Sequence, residues 1–216
     1  MIFELDNVEL SYGDKQILYG VYIKSEKGKI TGILGSNGCG KTSLLRIFFG
    51  NLGCNNKLVR INGEATLKSL YTTKNVRLLP QTEFLPKKMK LYRLFRLHEV
   101  SWQVFIAKFT SFSEYKNYTL SMLSGGERRI VAIWLTIKSK SDFILLDEPF
   151  THITPITRNI IKNELIAEKE NKAILITDHL YQDLMEITDD LYFIKDGCSR
   201  RIENAQELGE LGYLRL

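Results

Sequence analysis

The sequence predicts an α/β fold: a nucleotide-binding core on a mixed sheet, an N-terminal antiparallel β subdomain and a helical insertion in the middle. Three observations predict it. The first residues alternate apolar and polar with period two. Short apolar runs in the second half are separated by helical patterns, the rhythm of a parallel sheet. Between an early apolar run and a helical pattern stands a glycine-rich loop of the phosphate-binding type.

The elements follow in chain order. Ile2 to Leu10 alternates as an antiparallel strand does, Gln16 to Lys24 repeats the pattern, and Tyr12-Gly13-Asp14 between them is a turn signal. Lys29 to Leu34 is a short apolar strand, and Thr42 to Phe49 carries a helical pattern. Leu58–Ile61 and Glu64–Tyr71 read as a hairpin turned by Asn62-Gly63, since that dipeptide suits the left-handed φ values of a tight turn. Asn75 to Leu79 is a strand stopped by Pro80. From Lys87 to Ile137 the pattern turns helical. Leu91, Leu94, Phe95 and His98 share one face, as do Trp102, Phe105, Ile106 and Phe109. A loop at 111–117 separates these from a helix starting near Ser124. Strands at Phe143–Leu146, Ala173–Ile176 and Leu191–Ile194 alternate with helices at Thr157–Glu170 and Tyr181–Ile187. Residues 1–80 and 141–216 are thus expected to form the core with its β subdomain, and 82–140 the helical subdomain, all within one domain.

Composition bounds the function. The chain has 216 residues with 44% hydrophobic and 25% charged, values of an ordinary globular protein. Its longest largely apolar run, Ile130 to Ile137, is too short to cross a bilayer, and the acidic, alternating N-terminus lacks a basic signal region. A cytoplasmic protein is expected, reaching a membrane only through a partner. The net charge of +5 is carried by scattered residues with pairs at Lys87-Lys88, Arg128-Arg129 and Arg200-Arg201, so nucleic acid is not expected as a partner. Three cysteines without CxxC spacing, Cys39, Cys54 and Cys198, point to reduced thiols and away from a disulfide framework or a zinc site.

Gly35-Ser36-Asn37-Gly38-Cys39-Gly40-Lys41-Thr42 matches GxxxxGK[ST] in the strand-to-helix context a P-loop requires, with Ser43 next in the helix. The core is therefore of the P-loop NTPase kind. Glycines let backbone N–H groups point inward at a helix N-terminus, where they bind phosphate. Lys41 suits the β- and γ-phosphates and Thr42 suits Mg²⁺. Phe143-Ile144-Leu145-Leu146-Asp147-Glu148 is an apolar strand ending in two acids. Asp147 would serve the metal, and Glu148 would activate the attacking water as a general base.

Leu123-Ser124-Gly125-Gly126-Glu127 lies shortly before Asp147 and is close to the LSGGQ signature of ABC ATPases. With it the chain resembles that family over nearly its whole length and in motif order. The resemblance implies that Gln81 is the glutamine-loop residue, touching Mg²⁺ or the water and sensing a partner. It implies that His179 is the switch histidine on the γ-phosphate, and that Tyr12 stacks on adenine. It also implies that Ser124, Gly125, Gly126 and Glu127 act on the ATP of an opposite subunit, giving a head-to-tail homodimer on ATP binding. ATP and Mg²⁺ are the implied cofactors, and separate transmembrane permease subunits the implied partners. Strings such as Leu123 to Arg129 and Asp147-Glu148-Pro149-Phe150 resemble the ATPases of lipopolysaccharide export and branched-chain amino-acid uptake.

Two departures stand out. Thr154 occupies a position where the family usually has Asp, and only 42 residues separate Gln81 from Ser124, a short helical insertion. Three function classes follow: a transporter motor, a soluble ATPase acting on ribosomes or nucleic acid, and a nucleotide-binding regulator that scarcely hydrolyses. The motor is favoured. The basic charge alone supports the second, and the presence of both Glu148 and His179 argues against the third.

Overall fold

The computed structural model describes residues 1–210 and 212–213. Two sheets carry the architecture. The smaller pairs β1 (Ile2–Tyr12), β2 (Lys15–Glu26), β4 (Asn56–Ile61) and β5 (Glu64–Thr66) in the antiparallel order β2-β1-β4-β5. The larger orders β3 (Ile30–Gly35), β6 (Val76–Leu79), β7 (Phe143–Asp147), β8 (Ala173–Thr177), β9 (Asp190–Lys195) and β10 (Cys198–Ile202) as β10-β9-β3-β8-β7-β6. Its pairs are parallel except for the β9–β10 edge. The helices are α1 (Lys41–Phe49), α2 (Leu91–Leu97), α3 (Trp102–Lys108), α4 (Gly125–Lys138), α5 (Pro155–Glu168), α6 (Tyr181–Met185) and α7 (Ala205–Glu210).

The parallel strands read as unbroken apolar runs because both faces are covered, and period two sorts their side chains into two cores. Leu34, Ile144, Leu146, Ile174 and Ile176 point to a core shared with the helices α2 to α5. Ile33, Phe143, Leu145 and Leu175 point to the other, shared with α1 and the small sheet. Phe3 of β1 stacks on Phe143 with ring centroids 4.4 Å apart, locking the two sheets together. On the helical side, Phe105 is fully buried among Phe95, Trp102, Phe109, Phe112 and Trp134, which together form core.

Several boundaries move from those expected. The second hairpin strand ends at Thr66, not Tyr71, and a 3-10 turn at Leu70–Thr73 follows, where Leu70 drops into the core. Residues 110–117 form a 3-10 run instead of a loop, held by buried Phe112. The helix expected from Thr157 starts at Pro155, whose missing N–H costs nothing in the first turn. The following helix stops at Met185, short of Ile187. β10 and α7 were not expected at all. In β10 only Ile202 is buried, so the strand has no apolar pattern to read.

Candidate functional site

The P-loop spans the end of β3 and the start of α1. Gly40 precedes α1 with φ 103°, a left-handed conformation costly for any residue with a Cβ, and an added Cβ would lie 2.8 Å from Leu18 Cδ2. The first turn of α1 has no side-chain cap and no acid, so its N–H groups remain available to an anion. Lys41 is buried, and its ammonium donates to the carbonyls of Gly35 at 2.7 Å and Ser36 at 3.1 Å, which holds it over its own loop. Burial pushes the Cys39 thiol up, away from thiolate, and a Cβ on Gly35 would meet Cys39 Sγ at 2.6 Å. Cys39 is a filler inside the loop.

A cleft of about 370 Å³ is lined jointly by Tyr12, Lys41, Thr42, Gln81, Glu148 and His179. Asn37, Gly38, Gly40 and Ser43 complete its floor. Five segments far apart in sequence are thereby brought to one place. Tyr12, among the lining residues, is 54% exposed.

Asp147 closes β7 and is buried. Its Oδ1 accepts from the Thr177 hydroxyl at 2.7 Å. Burial pushes its carboxyl up, while hydrogen bonds from Thr177 and Thr42 pull against that. Glu148 stands at φ 49°, and its N–H donates to Thr177 O at 2.8 Å. Gln81 Nε2 donates to Glu148 Oε2 at 2.9 Å, and His179 Nδ1 lies 3.9 Å from the same oxygen. Asp178 is wholly buried and accepts the N–H groups of Phe150 and Leu180 at 3.1 and 3.0 Å, so it ties the segment after β7 to the one bearing His179. Burial raises its carboxyl too. The oxygen donors of Thr42, Gln81 and Asp147 suit a hard cation that takes most of its ligands from phosphate and water. Among the described residues no three or more His, Cys, Asp or Glu gather into a preformed metal cage.

The signature residues sit apart. Ser124 caps α4: its Oγ accepts from Glu127 N at 3.3 Å, while Glu127 Oε2 accepts from Ser124 N at 2.8 Å. This is a capping box. The Glu127 carboxylate is thereby engaged at its own helix end. Gly125 and Gly126 line a second cleft of about 400 Å³ that also reaches Gln81, Glu148 and His152. Thr154 caps α5, accepting from Thr157 N at 3.3 Å, which explains a hydroxyl residue there.

Some residues of the site escaped the sequence reading. Arg129 donates to the carbonyls of Pro80 (2.7 Å), Asp147 (2.7 Å) and Glu148 (3.0 Å). Burial pulls its guanidinium down, opposed by the charges of Asp147, Asp178 and Glu148. Arg128 pairs with Glu83 at 2.5 Å. Thr177 anchors Asp147. Arg128 and Arg129 stood within the Leu123 to Arg129 string without a role assigned to them, and Thr177 was likewise given none.

A P-loop against a parallel sheet, with a strand-end carboxylate pair and a glutamine and histidine converging on one cleft, defines a nucleoside-triphosphate-hydrolysing cassette. A family model described as ABC transporter matches residues 18–151, and the chain belongs to that family as an ATP-binding, ATP-hydrolysing member. A putative ABC transporter ATP-binding protein of Archaeoglobus fulgidus is 30% identical over 91% of this chain and 72% of its own length. The lipopolysaccharide export ATP-binding protein LptB of Haemophilus influenzae is 27% identical over 91% and 88%. The chain spans only 25% of another relative, ABC transporter A family member 11 of Dictyostelium discoideum, at 28% identity. A solved ATP-binding subunit of an ABC transporter shares the fold, with a TM-score of 0.85, 17% identity and coverage of 99% and 94%.

Proposed function

We propose that the chain is the motor of an ABC transporter, hydrolysing ATP to energise separate transmembrane permease subunits from the cytoplasmic face of the membrane. The observation that carries this is the single cleft on which Tyr12, Lys41, Thr42, Gln81, Glu148 and His179 converge. No helix among the described residues is long and apolar enough to span a membrane; in this reading the permeation path is supplied by the separate permease subunits.

In this reading adenine stacks on Tyr12, and the phosphates lie on the N–H groups from Gly35 to Ser43 with Lys41 beside them. Mg²⁺, held by Thr42, Gln81 and Asp147, supplies charge neutralisation at the phosphates. Glu148 takes the proton of the attacking water, and its hydrogen bond with Gln81 keeps its carboxylate aimed into the cleft. His179 holds the γ-phosphate. Catalysis is then mostly positioning and electrostatics.

The signature at Ser124, Gly125 and Gly126 belongs to a head-to-tail homodimer, in which the N-terminal end of one copy's α4 covers the nucleotide of the other. Glu127 serves that arrangement through the cap it forms with Ser124. Residues 82–140 act as the helical subdomain that relays nucleotide state to the permease. Similarity to lipopolysaccharide export, phosphate import and siderophore transport subunits, at 25–28% identity, supports the motor role common to them. The lipopolysaccharide or lipid export branch is proposed on the signature and strand-end strings.

The test is to trap Glu148→Gln protein with ATP in membranes, solubilise gently and identify what co-purifies. Transmembrane permeases are expected. Ribosomes or nucleic acid without a membrane protein would overturn the transporter role and leave the ATPase chemistry standing.

A further inference from the structure

We infer that Arg129 is a positioning residue for hydrolysis: one guanidinium clamps the backbone of the glutamine loop and of the strand-end carboxylates, so that Gln81 and Glu148 move as a unit with helix α4. The inference rests on the proposed role of Glu148 as general base. It assigns a task to a residue outside the P-loop, the signature pentapeptide and the strand-end carboxylate pair.

The geometry is specific to arginine. Nη1 donates to Pro80 O, one residue before Gln81, and Nη2 donates to both Asp147 O and Glu148 O. Two branches of a rigid planar fork therefore reach two segments that are adjacent in the sheet, since Leu79 of β6 pairs with Leu146 of β7. A lysine ammonium is a single point and cannot hold the same three carbonyls from one position. The clamp meets the site at a residue of strained backbone. Glu148 has φ 49° without being glycine, and such a conformation persists only where the surroundings over-determine it. Its amide is fixed by Thr177 O, and its carbonyl by Arg129. On the other side of the clamp, Gln81 Nε2 already bonds Glu148 Oε2, closing a ring from side chain to backbone to guanidinium.

The placement of Arg129 makes the clamp more than a local tie. It lies in the first turns of α4, the helix whose N-terminal end carries Ser124, Gly125 and Gly126. Its neighbour Arg128 reaches the same loop two residues beyond Gln81, bonding Glu83, which also pairs with Lys87 at 3.0 Å. Consecutive arginines thus bind the signature helix to both ends of the 80–83 segment. Any displacement of that segment is transmitted to the backbone of Glu148. Asp147, Asp178 and Glu148 surround the guanidinium with compensating charge, which keeps it cationic in a half-buried setting.

The experiment compares Arg129→Lys, Arg129→Ala and Glu148→Gln with the unaltered chain in steady-state ATP hydrolysis, ATP binding and thermal unfolding. Misplacing the base should lower kcat of Arg129→Lys by roughly 10- to 100-fold. KM for ATP should stay within about twofold, because the P-loop and Tyr12 are untouched. Guanidinium ion at low, non-denaturing concentration should restore part of the Arg129→Ala turnover, whereas urea should not. A merely structural arginine would give lower unfolding temperatures, an unchanged kcat per folded molecule and no rescue, and that pattern would overturn the inference. Full activity of Arg129→Lys beside an inactive Glu148→Gln would sink the clamp alone. Full activity of Glu148→Gln would remove the base, and the clamp's purpose with it. Should Arg129→Ala fail to fold, the kcat-against-KM comparison of Arg129→Lys still decides.

Discussion

A carboxylate held at φ 49° in a non-glycine residue costs on the order of 1–3 kcal/mol, and in Glu148 that cost is offset by neighbours that fix its amide and carbonyl. Thr177 is among them and also donates to buried Asp147. Replacing it with Val leaves that carboxylate short of a partner. Thr177→Val should lose about 1–3 kcal/mol of stability by denaturant unfolding, with weakened turnover. Tyr12 offers the opposite case, an exposed ring at the end of β1. Tyr12→Ala should raise KM for ATP roughly tenfold, the worth of one stacking contact, and leave kcat within about twofold. An unchanged KM in steady-state assays would remove Tyr12 from the adenine site. The P-loop, Asp147, Glu148 and their helpers were legible because each belongs to a motif with a fixed spacing. Arg129 and Thr177 were not, because their partners are backbone or side-chain atoms supplied by distant segments. Glu127 was read only as part of the signature, although Ser-x-x-Glu is equally a capping pattern, and the structure engages its carboxylate in the cap.

At the scale of elements, alternation placed the N-terminal strands and short apolar runs placed the strands of the parallel sheet. In the structure, period two sorts the side chains of those runs between two cores. β10 was illegible because its residues are mostly exposed and its order comes from pairing with β9, and α7 because it packs against β10 with Leu208 as its buried apolar anchor. The 3-10 run at 110–117 was missed for a related reason: one buried anchor, Phe112, holds it. The helical insertion is short yet has a dense aromatic centre at Phe105. Phe105→Ala should cost about 3–5 kcal/mol. At roughly 2–4 °C per kcal/mol for a chain this size, Tm should fall by about 10 °C in a thermal melt. At the start of α4, Ser124→Ala removes the cap and should cost about 1 kcal/mol beyond any effect on turnover.

Over the whole molecule, ionic networks join α4, α5 and α6. Lys138 bridges Glu164 and Glu168, Lys172 pairs with Glu168, and Arg158 and Lys162 hold Asp183. Burial alone would push Glu164, Glu168 and Asp183 up, but hydrogen bonds and charge from these lysines and Arg158 leave all three carboxyls below their ordinary values. The sign follows. A depressed folded value gives stability that is complete above the unfolded carboxylate range near pH 4 and is lost as pH falls through the lower folded values. Asp147 and Asp178 act oppositely, since burial raises them and the fold favours their protonated forms. Thermal melts should therefore show a decline that steepens below about pH 4. Lys138→Met should shrink that acid-dependent part, and an unchanged pH profile would remove the network from the acid response.

The most direct measurement is phosphate release from ATP with Mg²⁺ by the unaltered chain and by Glu148→Gln, with ATP binding followed in parallel. Turnover by the first, a loss of at least about 100-fold in the second and undiminished ATP binding in both are predicted. An unaltered chain that releases no phosphate, or a Glu148→Gln chain that hydrolyses at the same rate, would contradict the account.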